Sequence, residues 1–190
     1  MSYRQPHWLL CGGIGSGKSE VRRLLAEGGV HTIDADAVGH SVLLEEGLTP
    51  VAKRWPGVVL EGQISRETLA RIVFDDPDEL AALEAITHPL IFGRIQAELE
   101  GFSGPAVVEV PLLDTTLGLP RMVVDADEET RLQRAIGRGA SREDVERRMT
   151  SQPDRGAWLA AADMVVPNHG TLEDLADTVS RLATWLTDTR

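Results

Sequence analysis

Gly12-Gly13-Ile14-Gly15-Ser16-Gly17-Lys18-Ser19 decides how this chain folds. The stretch matches G-x-x-x-x-G-K-[ST]. Its glycines let the backbone curl so that successive N–H groups converge on phosphate oxygens. A helix opening directly after it adds its N-terminal N–H groups and its dipole to the same anion. A lysine at position 18 reaches β- and γ-phosphates, and a serine at 19 ligates Mg²⁺. The expected nucleotide site is therefore Gly13, Ile14, Gly15, Ser16, Gly17, Lys18, Ser19 and Glu20, with ATP and Mg²⁺ as its occupants. Glu20 is read as pointing outward and contributing only its backbone N–H. The bland alternative is a Gly-rich turn with no ligand.

The flanks favour the phosphate loop. Trp8–Cys11 is a short apolar run that ends at the first glycine. After Ser19, Val21, Leu24 and Leu25 share one helical face, Arg22, Arg23 and Glu27 the other, and Gly28-Gly29 ends the helix. Val30–Ile33 then reads as a second strand. Strand, turn, helix and strand in this compass make a βαβ unit, hence a parallel sheet. Further strands are expected at Ala106–Val110, Met122–Val124 and Ala162–Val166. Helices are expected at about Glu128–Arg138, Ser141–Gln152, with Ser141 and Asp144 at its cap, and Leu172–Leu186. From Ala37 to about Gly101 the apolar residues recur at helical spacing, with Pro50, Pro56-Gly57, Glu61-Gly62 and Pro77 as turns. Pro89 is expected just inside a helix start.

The chain has 190 residues, 30 acids against 19 bases and a net charge of −11. Such a charge opposes non-specific binding to nucleic acid. Any anionic substrate then needs a local basic site. Only Lys18 and Lys53 are lysines, and seven arginines fall between Arg131 and Arg155. Cys11 is the only cysteine, which excludes an internal disulfide and a multi-cysteine zinc site. No apolar run nears the ~20 residues of a membrane helix, and the N-terminus lacks a signal layout. The expectation is a cytoplasmic protein without nucleic-acid or membrane partners, monomeric or weakly homo-oligomeric.

Asp34-Ala35-Asp36 ends the second strand, at the sheet edge where open α/β folds bind ligands. A carboxylate there accepts a proton from an attacking hydroxyl or holds Mg²⁺ through water. Capping of the next helix is the other reading, and it stays open for Asp34. For Asp36 the functional reading is preferred.

With these residues in view, the chain resembles the dephospho-CoA kinase family. Cys11–Ser19 follows the family's opening except for its first residue. Ile33–Asp36, Glu61–Arg66, Leu69–Phe74, Thr87–Ile91, Val110–Leu113, Ala162-Asp163 and Asn168–Gly170 follow in family order and spacing. The resemblance implies an α/β three-layer P-loop kinase: about five parallel strands flanked by helices, a helical substrate-binding insertion and a lid. The boundaries expected are 1–36, 103–137 and 160–190 for the nucleotide-binding core, 37–102 for the region that holds the CoA substrate, and 138–159 for the lid. It implies transfer of the ATP γ-phosphate to the ribose 3′-hydroxyl of dephospho-CoA, the last step of CoA synthesis, with Asp36 as base.

The same resemblance assigns further roles. Asn168 and Gly170 lie beside adenine. His88 and His40 face the substrate. Arg138 and Arg148 contact the γ-phosphate, for which a planar guanidinium fork is suited. About four of the seven arginines of this segment are read as surface or packing residues. The chain departs from the family at Glu20, usually Thr, and at His40, usually Arg. It also departs at Asp114, Thr115 and Thr116, where a Glu often comes shortly after Pro-Leu-Leu, and at Pro167, where Asp or a similar residue is usual. A neutral imidazole at 40 cannot replace a permanent charge. Rival readings are a kinase of the same fold for a nucleoside monophosphate, a sugar acid or shikimate, and a non-catalytic nucleotide-binding protein.

Overall fold

The computed structural model describes residues 7–111, 113 and 116–188. Leu112, Asp114 and Thr115 of the motif reading lie outside them. The chain divides into two compact units, Met1–Asp34 with Phe102–Arg190, and Ala35–Gly101. The division falls directly after Asp34, so Asp36 belongs to the second unit.

The first unit is built on five parallel strands: β1 (His7–Cys11), β2 (His31–Asp34), β5 (Ala106–Glu109), β6 (Arg121–Asp125) and β7 (Met164–Pro167). Their order is β2-β5-β1-β6-β7, with β1 in the centre. The direction of strand addition reverses at β1, which places a ligand crevice at its C-terminal end, where Gly12 begins. Helices α1 (Lys18–Glu27) and α9 (Leu172–Thr187) cover the sheet. Val21 and Leu25 of α1 and Leu175, Val179 and Ala183 of α9 pack with Leu10, Val107, Met122, Val124 and Val166 in one buried cluster. Pro167 is harmless to the sheet, because it ends the edge strand β7.

Helices α6 (Glu128–Gly137), α7 (Arg142–Ser151) and α8 (Arg155–Ala160) also belong to this unit. Ser141 caps α7 as its sequence suggested, its hydroxyl accepting from Asp144 N at 3.1 Å. Helix α8 is too short for its apolar period to show in the sequence. Its start is set by Asp154, which accepts from Ala157 N at 2.7 Å.

The second unit holds α2 (Ala35–Leu44), α3 (Leu48–Arg54), α4 (Arg66–Asp75), α5 (Pro77–Glu100) and a hairpin of β3 (Val59–Leu60) and β4 (Gln63–Ile64). Glu61 and Gly62 turn that hairpin with φ of 51° and 80°, the positive values a two-residue turn needs. Two proline readings are corrected here. Pro50 lies in the first turn of α3, where its missing N–H would have had no helical partner anyway. Pro89 is not at a helix start. It lies inside the 24-residue α5, which begins at Pro77 under an Asp76 cap. Pro89 and Ala85, whose carbonyl it leaves without a donor, are both exposed, so water meets that carbonyl and the helix continues. No helix among the described residues is long and apolar enough to cross a membrane.

Candidate active site

The loop between β1 and α1 is shaped by its glycines. Gly15 and Gly17 have φ of 76° and 100°. A Cβ on Gly15 would lie 2.1 Å from the Arg131 carbonyl oxygen, and one on Gly17 2.3 Å from Asn168 Nδ2. The loop therefore needs glycine twice over, for backbone angle and for close approach. Helices α4 to α9 each begin under a capping side chain, whereas α1 begins under Gly17 with none. Its first N–H groups are thus presented to the crevice, as anion binding requires. Lys18 Nζ folds back along the loop and donates to Gly12 O at 2.7 Å and Gly13 O at 3.4 Å.

Beside Lys18, Ser19 Oγ donates to Glu109 Oε1 at 2.9 Å. Glu109 closes β5, next to β1 in the sheet. Its other oxygen accepts from Arg22 Nε at 2.6 Å, and Arg22 Nη2 lies 3.0 Å from Asp34 Oδ2. A hydroxyl and two carboxylates thus meet at the C-terminal edges of β2 and β5. Sequence reasoning missed Glu109. The available signal was one acid in the buried run Val107-Val108-Glu109-Val110, placed where the strand reaches the crevice. The donor set is all oxygen, as a hard divalent cation prefers. Among the described residues no three His, Cys, Asp or Glu side chains form a metal cluster. Mg²⁺ carried in on nucleotide phosphates needs only one or two protein oxygens.

Glu20 pairs with Arg23 at 2.6 Å, and this bond, reinforced by the Arg138 charge, holds its carboxyl below the usual range. Cys11 is fully buried at the end of β1, and burial pushes its thiol up to about 11.

Asn168 is 5% exposed, and its side-chain amide nitrogen and both backbone polar groups serve the scaffold. Its Nδ2 donates to Ser16 O at 2.7 Å, its N–H to Asp125 O at 2.8 Å, and its carbonyl accepts from Arg134 at 3.0 Å. Gly170 O accepts from the same arginine at 3.4 Å. The Asn168–Gly170 loop is thereby fastened to the phosphate loop on one side and α6 on the other. Asp125, at the end of β6, takes a two-pronged bond from Arg155 at 2.8 and 2.7 Å, with His169 Nε2 3.1 Å away. The guanidinium holds the Asp125 carboxyl below its ordinary range.

The arginines separate by partner. Arg148 lies on α7, 3.1 Å from Asp144, with its side chain 62% exposed. Arg142 and Arg147 form similar exposed pairs with Glu146 and Asp144, each of small energetic weight. Arg138 follows α6 as an exposed residue, its backbone N–H donating to Ala135 O at 3.2 Å. In the second unit, Asp36 and His40 are both exposed and stand one turn apart on α2, so they share a face. His88 is half-buried inside α5, its ring 5.5 Å from that of Phe92 one turn on.

The profile of a family described as dephospho-CoA kinase matches residues 9–174. A dephospho-CoA kinase of Streptomyces avermitilis is 42% identical over 177 residues, covering 87% of this chain and 86% of that protein. A solved structure from Thermus thermophilus superposes with a TM-score of 0.84 at 34% identity, covering 97% of this chain and all of the other. The structure of a dephospho-CoA kinase from Campylobacter jejuni gives 0.74 at 25% identity, covering 97% and 98%.

Proposed function

The chain belongs to the dephospho-CoA kinase family, and from that premise we propose how its residues carry the reaction. The enzyme transfers the γ-phosphate of ATP to the ribose 3′-hydroxyl of dephospho-CoA, giving CoA and ADP. Phosphoryl transfer asks chiefly for positioning and for neutralisation of spreading negative charge. Gly13 to Glu20 form the phosphate cradle, and Lys18 swings from the loop carbonyls onto the β- and γ-phosphates. Ser19, with Glu109 behind it, holds Mg²⁺. When bound there, the ion would supply positive charge that offsets the phosphates. Asp36, at the start of α2, accepts the proton of the attacking 3′-hydroxyl. His40, on the same face, and His88 serve the dephospho-CoA side. Arg138 and Arg148 bring guanidinium groups to the γ-phosphate, with Arg148 leaving Asp144 to do so. Asn168 and Gly170 supply the wall beside adenine. Residues 138–159 act as the lid. A single buried cysteine suits a reducing compartment, and we place the reaction in the cytoplasm.

One observation carries the nucleotide half: α1 opens without a side-chain cap, with Lys18 and the Glu109-bonded Ser19 as its first two residues. The acceptor half rests on the family match. A coupled ADP-release assay with dephospho-CoA tests both. Asp36→Asn is expected to lower turnover by about 10²–10⁴-fold, the usual weight of a general base, with the KM for ATP little changed. Wild-type turnover in that variant would remove Asp36 as the base. Arg148→Ala is expected to lower kcat far more than ATP affinity.

A further inference from the structure

One residue of the phosphate loop is held from outside the loop by everything it has. Ile14 N–H donates to Gln152 Oε1 at 2.8 Å, and Ile14 O accepts from Arg131 Nε at 3.0 Å. Its side chain packs on the cluster of Leu132, Ala135 and Val145 that joins α6 to α7. Arg131 comes from α6, and Gln152 closes α7. The two thus reach Ile14 from the first turn of α6 and from the residue that follows α7.

Arg131 is unusual among the arginines of this segment. It is 4% exposed, and no carboxylate lies within 4 Å of it among the described residues. Buried guanidinium groups ordinarily have an anionic partner. This one lies flat under the loop, so close that a Cβ on Gly13 would sit 2.4 Å from its Nη2. Its carbonyl is also the atom that forbids a side chain at Gly15. The glycines of the loop and the side chain of Arg131 therefore fit one another.

We propose that Arg131 and Gln152 are positioning residues for phosphoryl transfer: together they clamp the Ile14 peptide and so hold the loop in its phosphate-binding shape before ATP arrives. The inference rests on the loop being the ATP site. Loops held in the bound conformation bind more tightly, because ordering has been done in advance. Without the clamp the Ile14 peptide can rotate, and each rotation turns neighbouring amides away from the phosphates. The clamp also ties the loop to α7, so a displaced α7 loosens it.

The test uses the full-length enzyme, Gln152→Leu, Gln152→Glu and Arg131→Met. Three readouts are taken: hydrogen exchange of the Ile14 amide, ADP affinity by calorimetry, and kcat with both KM values. In Gln152→Leu the Ile14 amide should exchange at least tenfold faster. The KM for ATP and the Kd for ADP should rise about fivefold, the worth of one net hydrogen bond. The KM for dephospho-CoA and kcat should move less than twofold. Gln152→Glu, which keeps an acceptor oxygen, should restore amide protection. Arg131→Met should raise the KM for ATP further, and if it fails to fold the Gln152 pair still decides. Unchanged Ile14 exchange in Gln152→Leu, or an unchanged KM for ATP, overturns the clamp. Absence of ADP binding by the wild-type enzyme would overturn the reading of the loop itself, which is a separate result.

Discussion

Gly17 and Asn168 are predicted to be energetically one unit, and a double-mutant cycle measures it. Gly17 has φ of 100°, and a Cβ there would stand 2.3 Å from Asn168 Nδ2. The amide cannot remain in place, so Gly17→Ala breaks its 2.7 Å bond to Ser16 O as well as straining the backbone. Left-handed geometry costs a non-glycine residue about 1–2 kcal/mol. The Ser16 carbonyl, buried and without its donor, costs a further ~1–3 kcal/mol. Gly17→Ala should therefore destabilise by about 2–5 kcal/mol, the sum of those two effects. Asn168→Ala loses the bond alone, and should cost about 1–3 kcal/mol. In the double variant the clash is gone and the bond is already lost. Its destabilisation should match Gly17→Ala, leaving a coupling of about 1–3 kcal/mol in size, well outside additivity. Urea unfolding of the four proteins, followed by fluorescence of the buried Trp8 and Trp158, gives the values. Additivity within ~0.5 kcal/mol would refute the argument, because two sites that share no partner behave so.

Three further outcomes are expected. Gly15→Ala meets the Arg131 backbone at 2.1 Å with φ of 76°, where nothing flexible can yield; ATP affinity by calorimetry should fall at least about tenfold. The Asp125 carboxyl is held below its usual range by Arg155, so its folded-state value lies under its unfolded one. The stability it gives is present above about pH 4 and is lost as pH falls through the folded value, so Asp125→Asn should be less stable than wild type at pH 7 and should lose less on acidification to pH 3 in urea titrations. Cys11, with its thiol raised to about 11 by burial, should resist alkylation at pH 8 until the protein unfolds, read by mass spectrometry.

The βαβ start was legible because it depends on local rules: a glycine-rich loop, a 3.6-residue apolar period after it, and Gly28-Gly29 to stop the helix. What escaped the sequence depends on neighbours far along the chain. Among the seven arginines from 131 to 155, Arg131, Arg142, Arg147 and Arg148 look alike by spacing, since each has an acid within helical reach. Only the fold shows that Arg131 is buried under Gly13 while Arg148 stays on its own helix with Asp144. Asn168 read as a turn residue beside a base. Spacing could not show that its amide also braces Ser16, 152 positions away in sequence. Glu109 was hidden for the opposite reason, since a strand written mainly in valine draws attention to packing. Pro89 misled because a proline at a helix start and one on an exposed face inside a long helix leave the same local signature.

The net charge of −11 does not oppose an anionic substrate once the partners of each base are known. Arg142, Arg147 and Arg148 face acids of their own helix, and Arg155 faces Asp125, so their charges are largely cancelled at short range. Arg131 and Arg134 donate instead to backbone carbonyls, at Ile14 and Asn168. A carbonyl satisfies a hydrogen bond without removing a charge. The Arg131 guanidinium is thereby fixed against the phosphate loop and that of Arg134 against the Asn168–Gly170 loop, neither cancelled by a carboxylate partner, and Lys18 lies on the phosphate loop itself. Screening confines exposed charges to about 8 Å at physiological salt, so acids spread over distant helix surfaces weigh little there. The ATP phosphates meet the field of the loop, of Lys18 and of Arg131 that braces it, and the acidity of the whole chain bears on its solubility instead.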